Sequence, residues 1–248
     1  MYNFFVDENA VTKDGFIISG GDFNHIKNVL RMKEGDNLLV SVGGASHLCT
    51  IVQFNGDLVK LKTVMENYND TALPIEIYLF QGMPKSDKLE TVIQKAVELG
   101  AAAVVPVEMA RSIVKIEEKK KKSKQERWQA IAESAAKQSK RNLVPEIYGA
   151  TSFNNALDVI KSLDLLLVPY ECKNGMQDTK DALACIKKGM RVGIFIGPEG
   201  GFEESEIARL TDAGGKVISL GKRILRTETA SICALSMCML HAEMNLID

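Results

Sequence analysis

The chain has 248 residues, enough for one large domain or two modest ones, with 46% hydrophobic and 25% charged residues, the balance of an ordinary globular protein. Five scattered cysteines without a CxxC pair and three distant histidines signal no disulfide framework, thiol cluster or metal site, and idle thiols are the expectation. The opening "MYNFFVDENA" is too short and acidic for a signal peptide, no apolar run approaches a membrane span, and the formal net charge is −1, so a cytoplasmic protein with no membrane association is expected.

Residues 1–70 read as short strands with one helix. "GFIIS", "DNLLVSV", "SHLCTIVQF" and "DLVKLKTVME" are strand-like and separated by Gly-rich breaks, which suggests a small β-barrel. Between them "GDFNHIKNVLRM" places Ile26, Val29 and Leu30 at helical spacing, with Asp22 as its cap. The polar "NYNDTALP" (67–74) reads as a linker.

From Pro74 the rhythm changes. "PIEIYLFQG" reads as a strand, and "SDKLETVIQKAVELG" as a helix capped by Ser86 and ended by Gly100. After the strand "AAAVVPVE" comes a basic helix over about 122–140, within a stretch (111–142) that carries eleven Lys or Arg against four Glu. Such asymmetry can build a basic face on a neutral protein, although "EEKKKKSKQER" equally suits a solvated helix. Another helix begins near Ser152. Then "DLLLVPY", "RVGIFIG" and "KVISLG" read as strands, alternating with the helices "DTKDALACIKKG" and "EESEIARLTDAG". "TETASICALSMCMLHAEM" closes the chain as a helix with Ile232, Leu235 and Met239 at core or dimer-contact spacing. Apolar strands alternating with helices predict a parallel sheet covered on both faces, an α/β domain over 74–248.

The stretch "IGPEGGFEESE" (196–206) lies where a strand ends and a helix begins, with "FEESE" reading as an ordinary acidic first helical turn. It matches neither GxxxxGK[ST] nor GxGxxG, and Glu199 inside it would repel a phosphate. A nucleoside with a neutral or cationic tail, such as S-adenosylmethionine, suits the bare backbone better. A tight connection whose glycines serve only the turn fits the loop alone equally well. A second turn, "LGKRILRTETA" (220–230), follows the next strand and also leads into a helix. In an open parallel sheet, ligands bind beyond the carboxyl ends of the strands, so two such turns could line one pocket.

The pair "GPEGGF" and "LGKRILRTETA" resembles the C-terminal motifs of the SPOUT methyltransferases, and within them those that act on ribosomal RNA. "HIKNVLRMKEGD", "MPKSDKLETVIQKAVELGAAAVVPV" and "ERWQAIAESAAKQSKRNLVPEI" extend the likeness over nearly the whole chain. Lys137, Asn3 and Ser86 depart from it, where an acidic residue, an arginine and a glycine are usual. The resemblance implies a PUA-like barrel over 1–70, a trefoil-knotted α/β domain from 74, a homodimer, and methylation of N3 of a uridine in the 16S RNA of the small ribosomal subunit. A SPOUT enzyme for a ribose 2′-hydroxyl or a tRNA base, and a non-catalytic RNA-binding module, are the rival readings.

N3 of uridine is a protonated, weakly nucleophilic imide, so transfer needs alignment together with a base or a cation that stabilises the developing anion. Arg226 is the candidate for that cation, and Glu199 and Glu228 are possible proton acceptors. The cofactor is expected against Val168, Pro169, Ile196, Gly197, Pro198, Glu199, Gly200, Leu220, Leu225, Arg226 and Thr227, chiefly through main chain. RNA is expected at Arg31, Lys85, Lys88, Arg111, Gln138 and Arg141.

Overall fold

A computed structural model describes residues 1–85, 87–173 and 175–247 and divides them into two compact units. The first comprises Met1–Ala72 and also takes in Ala136–Val144. Its strands are β1 (Asn3–Phe5), β2 (Gly15–Ser19), β3 (Asn37–Val42), β4 (Ala45–Asn55) and β5 (Leu58–Met65), in the order β1-β3-β4-β5-β2. β1 runs parallel to β3 and the remaining pairs are antiparallel. This mixed sheet forms a half-barrel over Phe4, Phe16, Leu38, Val40, Ile51 and Leu61.

Helix α1 (Gly20–Asn24) continues into a wider turn, His25–Val29, and together they seat Phe23 and Ile26 in that core. Asp22 is not the cap expected of it. Ser19 occupies the N-cap position, and the Asp22 carboxylate instead pairs with Lys137 at 3.0 Å. Buried Asn3 explains its own departure from the family pattern. Its amide donates to the Arg141 carbonyl at 3.0 Å and accepts from Ser41 Oγ at 3.0 Å, tying β1 and β3 to the 136–144 segment.

The second unit, Leu73–Ala135 and Pro145 onward, alternates β6 (Glu76–Gly82), α2 (Lys88–Glu98), β7 (Ala101–Glu108), α3 (Glu118–Ser139), β8 (Glu146–Ile147), β9 (Thr151–Ser152), α4 (Phe153–Ile160), β10 (Leu165–Pro169), α5 (Gln177–Ala184), β11 (Arg191–Ile196), α6 (Glu204–Asp212), β12 (Lys216–Ile218) and α7 (Thr227–Asn245). The strands form one parallel sheet, ordered β12-β10-β11-β6-β7-β8 with β9 also beside β7. Two-residue strands such as β8 carry no periodicity to read. Gln125 and Gln129, one turn apart on α3, hold β8 through the Ile147 and Pro145 carbonyls and the Ile147 N–H. The basic helix starts at 118, earlier than expected, and Ser86, the expected cap of α2, lies outside the described residues.

At the centre of this sheet Phe80 and Phe195 stack at 5.5 Å, with Phe153 edge-on to Phe195 at 5.7 Å. α7 packs against β6, β11 and α2 through Ser231, Ala234, Leu235, Cys238 and Ala242. These are mostly small residues, so the helix approaches the sheet closely, while Ile232 and Met239 are only partly buried. Burial pushes the Cys49 thiol up to about 11 and the Cys238 thiol to about 12, so both stay protonated at neutral pH. Among the described residues, no helix is long and apolar enough to cross a membrane.

α3 ends on Lys140 at φ +60°, with the Arg141 N–H closing on the Ala136 carbonyl at 3.0 Å. Glycine favours this left-handed position, and any side chain there strains the backbone. Lys140→Gly is therefore expected to stabilise the fold by up to about 1 kcal/mol, read as a raised urea midpoint with unchanged slope.

Candidate active site

A cavity of about 390 Å³ opens beyond the carboxyl ends of the adjacent strands β12, β10 and β11. The turn after β10 contributes Pro169, Tyr170, Glu171 and Lys173. That after β11 contributes Ile196–Glu199, Gly201 and Phe202, and that after β12 contributes Ser219–Thr227; Ala230 of α7 and Lys88 of α2 complete the wall. The size suits a nucleoside-like ligand, since small-molecule pockets run roughly 300–1,000 Å³. An aromatic path links core to cavity, from Phe195 to Phe202 at 6.0 Å and on to Tyr170 at 6.2 Å.

A buried hydrogen-bond network sets the cavity's floor. Gln81, fully buried at the end of β6, donates from Nε2 to Thr227 Oγ1 at 2.8 Å and to the Gly82 carbonyl at 3.0 Å. Thr227 Oγ1 donates to the Gly197 carbonyl at 2.6 Å, and Ser231 Oγ donates to Gln81 Oε1. Strand β6, the glycine turn and the start of α7 are thereby joined. The next residue must be glycine, because a Cβ on Gly82 would lie 2.5 Å from Pro198 N and 2.8 Å from Met109 Sδ. Thr179 of α5 likewise pins the third turn, donating to the Ser219 carbonyl at 2.8 Å and accepting from its N–H at 3.1 Å.

The acidic "FEESE" is more than a favourable first helical turn. Glu203 and Glu206 form a reciprocal cap, and Glu206, buried, also accepts from the Ala110 N–H at 3.0 Å. This carboxylate thus holds the loop after β7 against the glycine turn. Alongside it, Arg111 Nη1 donates to the Gly200 carbonyl at 3.1 Å.

Charge at the cavity is spread over several elements, and on the turn after β10 Lys173 pairs with Asp178 at 2.6 Å beside exposed Glu171. Lys88 Nζ lies 3.0 Å from Glu199 Oε1 and 3.5 Å from Glu228 Oε2. Burial works against the Glu199 carboxylate, but its own backbone N–H, that of Lys85 at 3.1 Å, and the Lys88 ammonium outweigh it and lower its pKa. The hydrogen bond to Glu199 in turn raises the pKa of Lys88. Lys222, Arg223 and Arg226 are exposed on the third turn, and among the described residues no carboxylate lies within ion-pair distance of Arg226.

Nine of the eleven residues expected at the cofactor meet on this cavity. Val168 is instead fully buried in the core, and Gly200 faces Arg111, whose Cβ would lie 3.0 Å from an added Cβ. Of the residues expected at RNA, Lys85 and Arg111 are exposed beside the glycine turn, while the Lys88 ammonium is taken up by carboxylates. In the first unit Arg31 and Gln138 are exposed, and Arg141 is half-buried, with its pKa pulled down to about 10 by desolvation. Sequence reading missed Gln81, Tyr170 and Phe202. A glutamine ending the apolar run "YLF" was the available signal for the first of these.

Residues 71–239 match the model of an RNA methyltransferase domain, and residues 18–64 that of an RNA methyltransferase PUA domain. The chain is 42% identical to ribosomal RNA small subunit methyltransferase E of Bacillus subtilis, over 92% of this chain and 91% of that one. It is 33% identical to the Mesomycoplasma hyopneumoniae protein of the same name, over 96% and 99%. Among solved structures, that of ribosomal RNA small subunit methyltransferase E from Neisseria gonorrhoeae bound to S-adenosyl methionine superposes with a TM-score of 0.82 at 29% identity, over 97% of each chain.

Thr227→Val keeps the shape but deprives the Gly197 carbonyl of its donor and Gln81 of an acceptor inside the fold. A loss of about 1–3 kcal/mol in urea unfolding is expected.

Proposed function

Since this chain belongs to the RNA methyltransferase family of ribosomal RNA small subunit methyltransferase E, we propose that it transfers a methyl group from S-adenosylmethionine to N3 of a uridine in the 16S RNA of the small ribosomal subunit. The observation that carries the reading is the cavity lined by two glycine-bearing turns at the ends of parallel strands. Such turns suit a nucleoside, whose edge can pair with bare backbone groups, and the exposed Lys222, Arg223 and Arg226 of the lining could meet a second, anionic substrate. S-adenosylmethionine, when bound, would supply an activated methyl on a sulfonium.

Main chain at Ile196, Gly197, Pro198, Leu220, Leu225 and Thr227, with Pro169, would hold the nucleoside. Arg226, at the helix N-cap and free of carboxylate partners among the described residues, would steer a uracil carbonyl and stabilise the imide anion that forms as N3 loses its proton. Glu199 is poorly suited as the base, because its oxygens already accept from Lys85 and Lys88. Exposed Lys85, Arg111, Arg31 and Gln138 would contact the RNA, with phosphate contacts giving affinity that falls steeply with salt. We further read the chain as a cytoplasmic homodimer with trefoil-knotted threading of the second unit, supported by its family and by the exposed Leu240 and Met244 on α7.

Incubation with labelled S-adenosylmethionine and small ribosomal subunits lacking the modification, followed by nuclease mapping, should place the label on N3 of one uridine. Label on a ribose, on tRNA or nowhere would refute the assignment. Arg226→Ala should slow methyl transfer by roughly 10²–10³-fold, the usual cost of losing one charge-stabilising donor, with cofactor affinity within about 3-fold. Near-normal transfer would leave Arg226 only a structural role.

A further inference from the structure

Lys222, Arg223 and Arg226 are exposed on the turn after β12, and among the described residues no carboxylate lies within ion-pair distance of any of them. Between them stands Ile224, which lines the cavity and yet is 85% exposed. Among the described residues no large apolar side chain is more exposed. Its neighbour Leu225 is half-buried, so of two adjacent apolar residues one packs and the other is left outside. The turn that presents Ile224 is pinned on both sides. Before it, Thr179 holds Ser219, whose Oγ accepts from the Gly221 N–H at 3.2 Å. After it, Thr227 is tied to the Gly197 carbonyl.

A lone exposed apolar residue is ordinary on a protein surface. One that borders a ligand cavity among three unpaired cations is a different case. The cations suit phosphates, and a branched aliphatic side chain offers a phosphate nothing, but it packs against the face of a base. A strand of RNA carries both groups. Chemistry at N3 adds a geometric demand, since N3 lies on the pairing edge of uracil. Enzymes that react at such a position take the base out of its stack, at a cost in lost stacking. The neighbouring base then has a bare face, and an apolar side chain inserted there replaces part of the lost contact.

Resting on the assignment of an RNA base as the methyl acceptor, we propose that Ile224 is an apolar wedge. It packs against the base next to the target uridine and keeps the uridine out of the stack and in the cavity, while Lys222 and Arg223 hold the flanking phosphates. Ile224 orients the acceptor and takes no part in the methyl transfer itself. The pinned backbone matters to this role, because a wedge on a slack turn would follow the RNA instead of displacing it.

Methyl transfer to unmodified small ribosomal subunits, and the salt dependence of binding to them, separate the wedge from the cations around it. Ile224→Ala should lower kcat/KM roughly 5–30-fold, the worth of partly burying the carbons removed, and Ile224→Leu should recover most of it. The slope of log affinity against log salt should stay as in the wild type, because no phosphate contact is lost. Arg223→Gln should instead reduce that slope by about one. By calorimetry, the affinity of Ile224→Ala for S-adenosylmethionine should stay within about 2-fold of the wild type, since the proposal places the side chain against RNA. Transfer by Ile224→Ala at the wild-type rate would overturn the proposal. So would an equal loss of cofactor affinity, which would make Ile224 part of the cofactor wall. A changed sedimentation coefficient in the variant would also overturn it, by making Ile224 a contact between copies of the chain. Wild-type protein that labels no RNA base would instead remove the assignment of the acceptor, and this proposal with it.

Discussion

The hydrogen bonds of Gln81 are the constraint on which the site depends. An amide with no solvent exposure must find its partners inside the protein or cost a few kcal/mol of desolvation. Its partners lie at Thr227 and Ser231, with Gly197 reached through Thr227, so their satisfaction fixes where β11 turns and where α7 begins. These residues are more than 100 positions from Gln81 in sequence, so the network closes only when the whole second unit has assembled. Gly82 shows how tight that closure is, since its missing side chain is the space occupied by Pro198.

Around this fixed floor the polar groups divide by exposure. Carboxylates that serve the scaffold are satisfied by backbone, as Glu206 is by Glu203 and Ala110. Glu199 on the cavity wall and Glu228 beside it share one lysine, Lys88. Among the described residues Arg226 has no carboxylate within ion-pair distance, and it stands exposed with Lys222 and Arg223 on the turn after β12. That arrangement lets a protein of net charge −1 present a cationic rim without a basic composition.

Long apolar strands and the helices between them were legible from sequence, because each repeats a period over several residues. β6, β7, β10 and β11 fell within "PIEIYLFQG", "AAAVVPVE", "DLLLVPY" and "RVGIFIG", and their alternation with helices implied a parallel sheet. The two glycine turns could be placed at strand ends for the same reason. What stayed hidden depended on contacts distant in sequence. Asp22 looked like a cap because caps are local, yet its partner, Lys137, is 115 residues away. Glu206 looked like one acid among several, and only the loop after β7 singles it out. Lys88 looked like a phosphate ligand, because nothing in "MPKSDK" reveals that two carboxylates from other elements surround it.

Glycine-bearing turns on a cavity wall have a consequence for how specificity can be encoded. Backbone groups recognise a nucleoside edge whatever side chains they carry, so most substitutions around such a cavity change its shape rather than its chemistry. Distinctions that shape cannot make fall to the electric field. That field is set by charges on several elements, because Glu171, Lys173, Glu199 and Lys88 all line the cavity together with the exposed Lys222, Arg223 and Arg226, while the buried carboxylate of Glu206 is committed to backbone. The floor that Gln81 holds in place fixes two of the carriers, the glycine turn with Glu199 and the start of α7 with Glu228.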